Sequence, residues 1–437
     1  MDTIEKAKKG VQWTTLSTFT QIGSQILKIS ILTRFLDKSD FGLVALVTVL
    51  LGFCNLFADL GFTTGILHRQ NITQKEYSSL YWANFLFSII LYAVVVFLGP
   101  FISDFYNQPE MVQIIPILCV NVIISSIGRQ FRTVCYKELR FKIVSLIDVV
   151  SEVVSLLVAF TLAIFGYGVY SLVLSVVFQC LTSNLVLLIC NIRLHPITFE
   201  YSTECLKPFL KIGVYQVGAQ TLNYFSRDLD VLIIGKFLGT DLLGGYSLAK
   251  QLVMRPYSVI NPIINKVAAP YYATLQNDYN ILRKQYFKSV GLVTGVNTLV
   301  YLLVCLFAYP IVYILYGKQY VDITIVVQIL CLFMLDRAIG NPIGSLLAAT
   351  GKTHLDFIWN LIYMFIIPVF IFIGIMLGST TYIALMMDLC SILLFYPNWR
   401  LVIRPILGGS FTEYVSTIFN YSQSFGLALR EFSKIIK

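Results

Sequence analysis

Twelve predominantly apolar runs, each more than twenty residues long, follow one another between residues 11 and 403. A helix crosses about 30 Å of hydrocarbon with about 20 residues at about 1.5 Å each. The other spanning solution, a β-barrel, needs about ten alternating residues per strand. These runs are continuous rather than alternating, so the expected fold is an all-α polytopic membrane protein. Composition agrees: 57% of the 437 residues are hydrophobic and 13% are charged. A soluble domain has about 25% charged residues, so half that share excludes a soluble globule of this size. The spans are placed at 11–36, 41–66, 81–102, 111–134, 143–165, 168–190, 209–238, 242–266, 287–313, 321–349, 355–378 and 380–403.

The formal net charge of +9 does not point to nucleic acid, because the basic residues sit in short connections between apolar runs. Counted with the span ends beside them, the N-terminus, the even-numbered connections and the C-terminus hold 23 Lys and Arg residues and the odd-numbered connections hold 4, the other five lying within spans. That bias places both termini in the cytoplasm. The five basic residues from Arg129 to Lys142 are read as a membrane-surface loop. The nine cysteines are scattered without a CxxC pair, so neither a disulfide framework nor a zinc site is expected. The basic start, Met1 to Gly10, is read as leading a retained first helix rather than a cleaved signal.

An internal repeat organises the chain. At a shift of 202 residues, Phe35-Leu36 meets Phe237-Leu238, Gly42 meets Gly244 and Leu46 meets Leu248. The same shift superposes two polar stripes. Thr14, Thr18, Gln21, Gln25 and Lys28 share their spacing of 4, 3, 4, 3 with Gln216, Gln220, Asn223, Arg227 and Asp230. Such spacing lines one helical face. Two six-helix lobes are therefore expected, residues 1–195 and 209–404, joined by a cytoplasmic linker at 196–208 and followed by an amphipathic tail at 405–437. An even number of spans per lobe makes the repeats parallel, related by a pseudo-two-fold axis along the membrane normal.

Energetics say where the stripes point. The seventh span carries Arg227, Asp228 and Asp230, a cost of roughly 7.5–10 kcal/mol if all were central and unpaired. Its apolar residues return roughly 4–8 kcal/mol. Such a helix belongs against a bundle interior or a wet cavity. The candidate cavity residues are Gln21, Gln25, Lys28, Asp59, Gln220, Asn223, Arg227, Asp230, Lys250 and Arg255. Lys28, Arg227, Lys250 and Arg255 suit an anionic group such as a phosphate, which arginine grips with a fork of hydrogen bonds. The competing reading is that these charges only pair with one another: Arg227 with Asp230, Lys28 with Asp230 or Asp59, Lys250 with Asp228.

No HExxH, GxSxG or paired-carboxylate motif occurs, and Gly351-Lys352-Thr353 lacks the upstream glycine of a phosphate-binding loop. The chain is not expected to be an enzyme, nor to hold a cofactor or metal. Asn71-Ile72-Thr73 is a formal glycosylation triplet in a cytoplasmic connection.

The run Asn223-Tyr224-Phe225-Ser226-Arg227-Asp228-Leu229-Asp230, followed by Ile234-Gly235-Lys236-Phe237-Leu238-Gly239, resembles the seventh-span signature of bacterial polysaccharide-export flippases. Ala58-Asp59-Leu60-Gly61-Phe62, Lys137-Glu138-Leu139-Arg140-Phe141 and Tyr246-Ser247-Leu248-Ala249 are similar to their further motifs. These flippases belong to the multidrug/oligosaccharidyl-lipid/polysaccharide exporter superfamily. The resemblance extends to about Arg404; many relatives continue with further apolar segments where this chain has a polar tail. It implies a substrate, an oligosaccharide on a polyprenyl pyrophosphate, moved across the bacterial cytoplasmic membrane by alternating access. Within that reading Lys28, Arg227, Lys250 and Arg255 contact the anionic head or glycan, and Gln21, Gln25, Gln220 and Asn223 line the path. Asp59 and Asp230 serve charge balance or coupling to H+ or Na+. Glycosyltransferases and a polymerase of the same pathway are the expected partners. A cation-coupled drug antiporter of the same superfamily needs a carboxylate-dominated cavity, against which the basic set argues. A membrane glycan polymerase or ligase needs large external loops, and these loops are about ten residues or fewer.

Overall fold

The computed structural model describes residues 3–69, 72–276 and 278–419; Asn71 of the glycosylation triplet and residues 420–437 of the tail lie outside that set. The described residues form helices and no strands. The first six predicted spans correspond to α1 (Thr3–Leu32), α2 (Lys38–Ala58) with α3 (Phe62–His68), α4 (Gln74–Tyr106), α5 (Met111–Cys119) with α6 (Asn121–Lys137), α7 (Phe141–Ile164) and α8 (Val169–Asn191). The second six correspond to α9 (Thr203–Phe237), α10 (Gly239–Thr274), α11 (Tyr279–Leu306) with α12 (Ala308–Tyr316), α13 (Thr324–Ile339) with α14 (Pro342–Thr350), α15 (Thr353–Met376) and α16 (Thr380–Asn398). A π-helical turn, Trp399–Ile403, leads from α16 into α17 (Arg404–Leu407), and α18 (Phe411–Phe419) begins the tail.

Among the described residues, nine helical stretches are long and apolar enough to cross a membrane. The predicted spans outside that set fall on α1, α9 and α10, the helices that carry the two polar stripes and the Lys250–Arg255 pair. They are helical over their length, but their polar content lowers their hydropathy below that of a lipid-bathed span. The outward faces elsewhere are apolar, with Phe97, Phe365 and Ile392 among the exposed side chains, as lipid contact demands.

Local chemistry sets the boundaries. At α4, the Thr73 N–H donates to Glu76 Oε2 at 2.9 Å and the Glu76 N–H to Thr73 Oγ1 at 3.3 Å, a reciprocal cap that satisfies two orphan donors. The predicted span 41–66 is broken, because Leu60 (φ 48°) and Gly61 (φ 69°) take left-handed conformations and end α2 at Ala58. Glycine adopts that conformation at no steric cost.

By backbone contacts the chain forms two compact units: residues 1–244 with 315–317, and residues 245–314 with 318–437. In the first unit α7 packs between α1 and α8, α8 also meets α6, and α9 lies against α2, α3 and α4. The head helix of the second sequence repeat thus packs within the first unit. The first turn of α10 does too, and it meets α2 reciprocally. A Cβ on Gly42 would lie 1.9 Å from the Thr240 carbonyl oxygen, and a Cβ on Gly244 would lie 1.7 Å from that of Lys38. Lys38 and Thr240, like Gly42 and Gly244, are 202 residues apart. Each copy of the repeat supplies the glycine into which the other copy's carbonyl fits, a self-complementary contact of the isologous kind.

In the second unit α13 packs on α11 and α16, and α15 on α16. Its core gathers Tyr272, Tyr286, Trp399, Tyr414 and Ile418. Tyr414 stacks on Phe395 with ring centroids 5.7 Å apart, and Glu413 pairs with Arg283. The described part of the tail is therefore docked on this unit.

Candidate functional site

The first unit has a polar interior built by α1, α2, α6, α7 and α8. On α7, Ser145, Asp148, Ser151, Glu152 and Ser155 recur at three- and four-residue steps and share one face. Glu152 is 0% exposed and Lys28 of α1 is 8% exposed. Lys28 Nζ lies 3.4 Å from Glu152 Oε1 and donates to Ser155 Oγ at 2.9 Å. Gln179 of α8 donates to the other Glu152 oxygen, and Ser155 Oγ donates to the Ser175 carbonyl at 2.9 Å. Burying either charge alone costs several kcal/mol, so Lys28 and Glu152 are buried together. The structure thus gives Lys28 a carboxylate partner within its own unit.

Beside this pair lies a cavity of 250 Å³ lined by Gln21, Asn55, Asn121, Ser125, Arg132, Asp148 and Gln179, among others. Arg132 grips Asp148 with both terminal nitrogens, at 2.7 and 3.2 Å, and donates to Ser183 Oγ at 2.7 Å. Gln21 Nε2 donates to Ser17 Oγ at 2.8 Å. Asn121 in its wall is 2% exposed, and both of its amide atoms are buried without a hydrogen-bond partner.

Asp59 sits at the break after α2. Thr63 Oγ1 donates to its Oδ1 at 2.5 Å, and Asn84 donates to the Ala58 carbonyl that the break frees. Asp59 and Arg129 line one small cleft, and Arg129 Nη2 donates to Asn55 Oδ1 at 3.0 Å. Arg129 and Arg132 do not belong to a surface loop as the sequence reading has it: they lie on α6, which continues to Lys137. Their inward placement follows from their register with Asn121 and Ser125 on that helix.

On α9, Gln220, Asn223 and Arg227 are exposed along one face, while Asp230 on the next turn is 2% exposed. The Arg227 side chain is 44% exposed; its Nη2 lies 2.8 Å from Asp228 Oδ2 and its guanidinium 5.3 Å from the Tyr224 ring centroid. Tyr224 in turn donates to the Val49 carbonyl at 2.6 Å. Asp230 Oδ1 accepts the Val231 N–H at 2.9 Å. Gln25 is half-buried on α1, and the side chain of Gln216 lies outside the described residues.

Lys250 and Arg255 belong to the second unit, Lys250 buried and Arg255 half-buried on α10. Further along α10, Tyr257 and Asn261 form a polar cluster with Arg337 and Asn341: Asn341 Nδ2 donates to Asn261 Oδ1 at 3.1 Å, Tyr257 to Asn341 Oδ1 at 3.4 Å, and the Arg337 guanidinium lies 5.7 Å from the Tyr257 ring centroid. Tyr257 and Asn261 are the repeat partners of Asn55 and Asp59. Among the described residues no three His, Cys, Asp or Glu side chains come together as a metal site.

Sequence reasoning missed Asp148, Glu152, Gln179, Arg129 and Arg132. The signal was present in the periodic polar residues of the fourth, fifth and sixth spans, each weaker than the stripe on α9 because its members are mostly serines.

Comparison with known proteins places this geometry. Residues 31–325 match the model of a family described as polysaccharide biosynthesis protein. The lipopolysaccharide biosynthesis protein WzxC of Escherichia coli (strain K12) is 27% identical over 95% of this chain and 84% of its own. The amylovoran biosynthesis protein AmsL of Erwinia amylovora is 30% identical over 80% of this chain and 90% of its own. Among solved structures, the lipid II flippase MurJ in an inward closed conformation superposes with a TM-score of 0.71 at 13% identity, covering 98% of both chains. The chain shares the fold of that structure.

Proposed function

The chain belongs to the polysaccharide biosynthesis protein family, and from that premise we propose that it is a flippase for an oligosaccharide carried on a polyprenyl pyrophosphate. It moves this substrate from the inner to the outer leaflet of a bacterial cytoplasmic membrane, by alternating access, with both termini in the cytoplasm. Glycosyltransferases supply the substrate and a polymerase consumes it.

The observation that carries this reading is the face of α9. Gln220, Asn223 and Arg227 are exposed along one side of it. Facing hydrocarbon, the guanidinium alone costs about 2.5–3.5 kcal/mol. Facing water and a hydrated glycan, the amides and guanidinium serve as hydrogen-bond donors, and a pyrophosphate is the anion whose geometry the arginine fork fits. Lys250 and Arg255 are the cations of the second unit assigned to the same anionic head. Lys28, paired with Glu152, positions α1 on α7, and Gln21 and Asp59 belong to the polar interior it anchors. Coupling to H+ or Na+, where it operates, runs through Asp59 or Asp230, and an imposed gradient of either ion across vesicles reads it directly.

Replacement of Arg227 by Ala is the test in cells. Losing a charge-assisted contact of about 1.5–3 kcal/mol lowers export at least about tenfold. The lipid-linked glycan then accumulates on the inner leaflet. Unchanged export at wild-type protein levels removes Arg227 from the site.

A further inference from the structure

The apolar part of such a substrate also has a place in the first unit. A cavity of 370 Å³ opens between α2, α4, α5 and α9, walled by Leu46, Val49, Phe53, Leu98, Phe101 and Ile102, with Phe105, Tyr224, Phe225 and Leu232 completing it. Its volume falls within the roughly 300–1,000 Å³ of small-molecule sites, yet its lining offers almost no hydrogen-bonding group. Water gains little there, and branched hydrocarbon gains contact with rings and methyl groups.

Two cations of α9 flank this cavity, and each rests on a ring of its wall. The Arg227 guanidinium lies 5.3 Å from the Tyr224 ring centroid, and the Lys236 ammonium lies 4.4 Å from that of Phe105. Arg227 is ion-paired with Asp228. Lys236 instead donates to the Phe105 carbonyl, and among the described residues no carboxylate pairs with it. The two cations are nine residues apart, about 13 Å along the helix. A cavity that takes only hydrocarbon, with an unneutralised ammonium on its rim, is complementary to an amphiphile whose apolar chain ends in an anion.

We propose that this cavity binds the isoprenoid chain of the substrate next to the pyrophosphate, with room for a few isoprene units, and that Lys236 holds the pyrophosphate at its rim. The assignment rests on the flippase reading above and extends it: α9 carries the glycan-facing polar residues Gln220, Asn223 and Arg227 on its exposed face and the rings of Tyr224 and Phe225 on the face that lines the cavity, so one helix registers both parts of the amphiphile. Lys236 lies on the side that the basic-residue bias makes external, which makes this the site of the translocated head.

The test uses the full chain in phosphatidylcholine nanodiscs and a short-chain polyprenyl pyrophosphate bearing a diazirine on its isoprenoid. The expected result is saturable crosslinking to residues 98–106 and 224–232, displaced by excess unlabelled polyprenyl pyrophosphate and not by added phospholipid. Leu98→Trp and Ile102→Trp, which fill the cavity from its accessible wall, each abolish that crosslinking while the protein keeps its melting temperature; two positions guard against one failing to fold. Lys236→Ala weakens capture of the pyrophosphate probe about tenfold and leaves the matching uncharged polyprenol unchanged, and Lys236→Arg restores it. Crosslinks that persist in both Trp variants, that fall outside these helices, or that phospholipid displaces as annular lipid overturn the proposal. Normal glycan translocation by a folded Trp variant without crosslinks also overturns it and leaves the flippase reading intact. Crosslinking as described in a protein that translocates no lipid-linked glycan defeats the flippase reading and leaves the cavity standing.

Discussion

Lys28 and Asp230 hold equivalent places in the two repeats, 202 residues apart, and carry opposite charges. Both are buried. Lys28 meets Glu152 and Ser155, and Asp230 accepts its neighbour's N–H. A second equivalence behaves the same way. In the first unit Asn55 and Asp59 share their surroundings with Arg129, while in the second Tyr257 and Asn261 neighbour Arg337 and Asn341. One arginine donates to an amide and shares a cleft with a carboxylate; the other lies over a ring. The repeat therefore preserves where a polar side chain stands on its helix and lets the charge at that place change. Position follows from helix packing, which both copies inherit. Charge is set by what each copy must bind or balance.

The largest effects test whether the two copies are structurally equivalent. Gly42→Val and Gly244→Val each drive a side chain into a backbone carbonyl of the other helix, so each loses at least about 3 kcal/mol and folded protein drops in fluorescence-detected gel filtration. Equal losses sharpen the equivalence; a harmless change at one glycine breaks it.

The next effects concern buried charge. Lys28→Met leaves Glu152 without its counter-ion and costs about 3–5 kcal/mol, and Glu152→Gln removes the carboxylate that faces Lys28. The double replacement costs much less than their sum, because no unpaired charge remains, and thermal unfolding in detergent reads the difference. Additive losses would show that the two residues act independently.

A smaller contrast separates the two arginines. Arg129→Ala removes a hydrogen bond to Asn55 and the cation beside Asp59, a loss of about 2–3 kcal/mol. Arg337→Ala removes a cation–ring contact worth about 1 kcal/mol. Unfolding midpoints ordered the other way would erase the distinction between the clusters.

Much of this was legible in the sequence, for definite reasons. The helices were, because apolar runs long enough to span have one solution in lipid. The repeat was, because Gly42 and Gly244 must both be small where α2 and α10 cross. The α9 stripe was, because Arg227 and Asp230 are conspicuous against apolar neighbours. Glu152 escaped notice although it is the most deeply buried charge beside Lys28, because a single carboxylate among serines carries little signal until its partner across the bundle is known. Arg129 and Arg132 were misplaced for the opposite reason: basic residues near a span end read as a cytoplasmic loop, and only the continuation of α6 to Lys137 turns them inward. The break at Leu60-Gly61 and the docking of Tyr414 depend on backbone angles and distant rings, which no local pattern encodes.

Translocation of the native lipid-linked oligosaccharide in proteoliposomes tests the central claim most directly, with outer-leaflet glycan read by an impermeant glycosidase. The wild-type chain should render the glycan accessible at a rate that Arg227→Ala lowers at least about tenfold. A wild-type chain no faster than empty vesicles, or an Arg227→Ala variant as fast as wild type, contradicts the account.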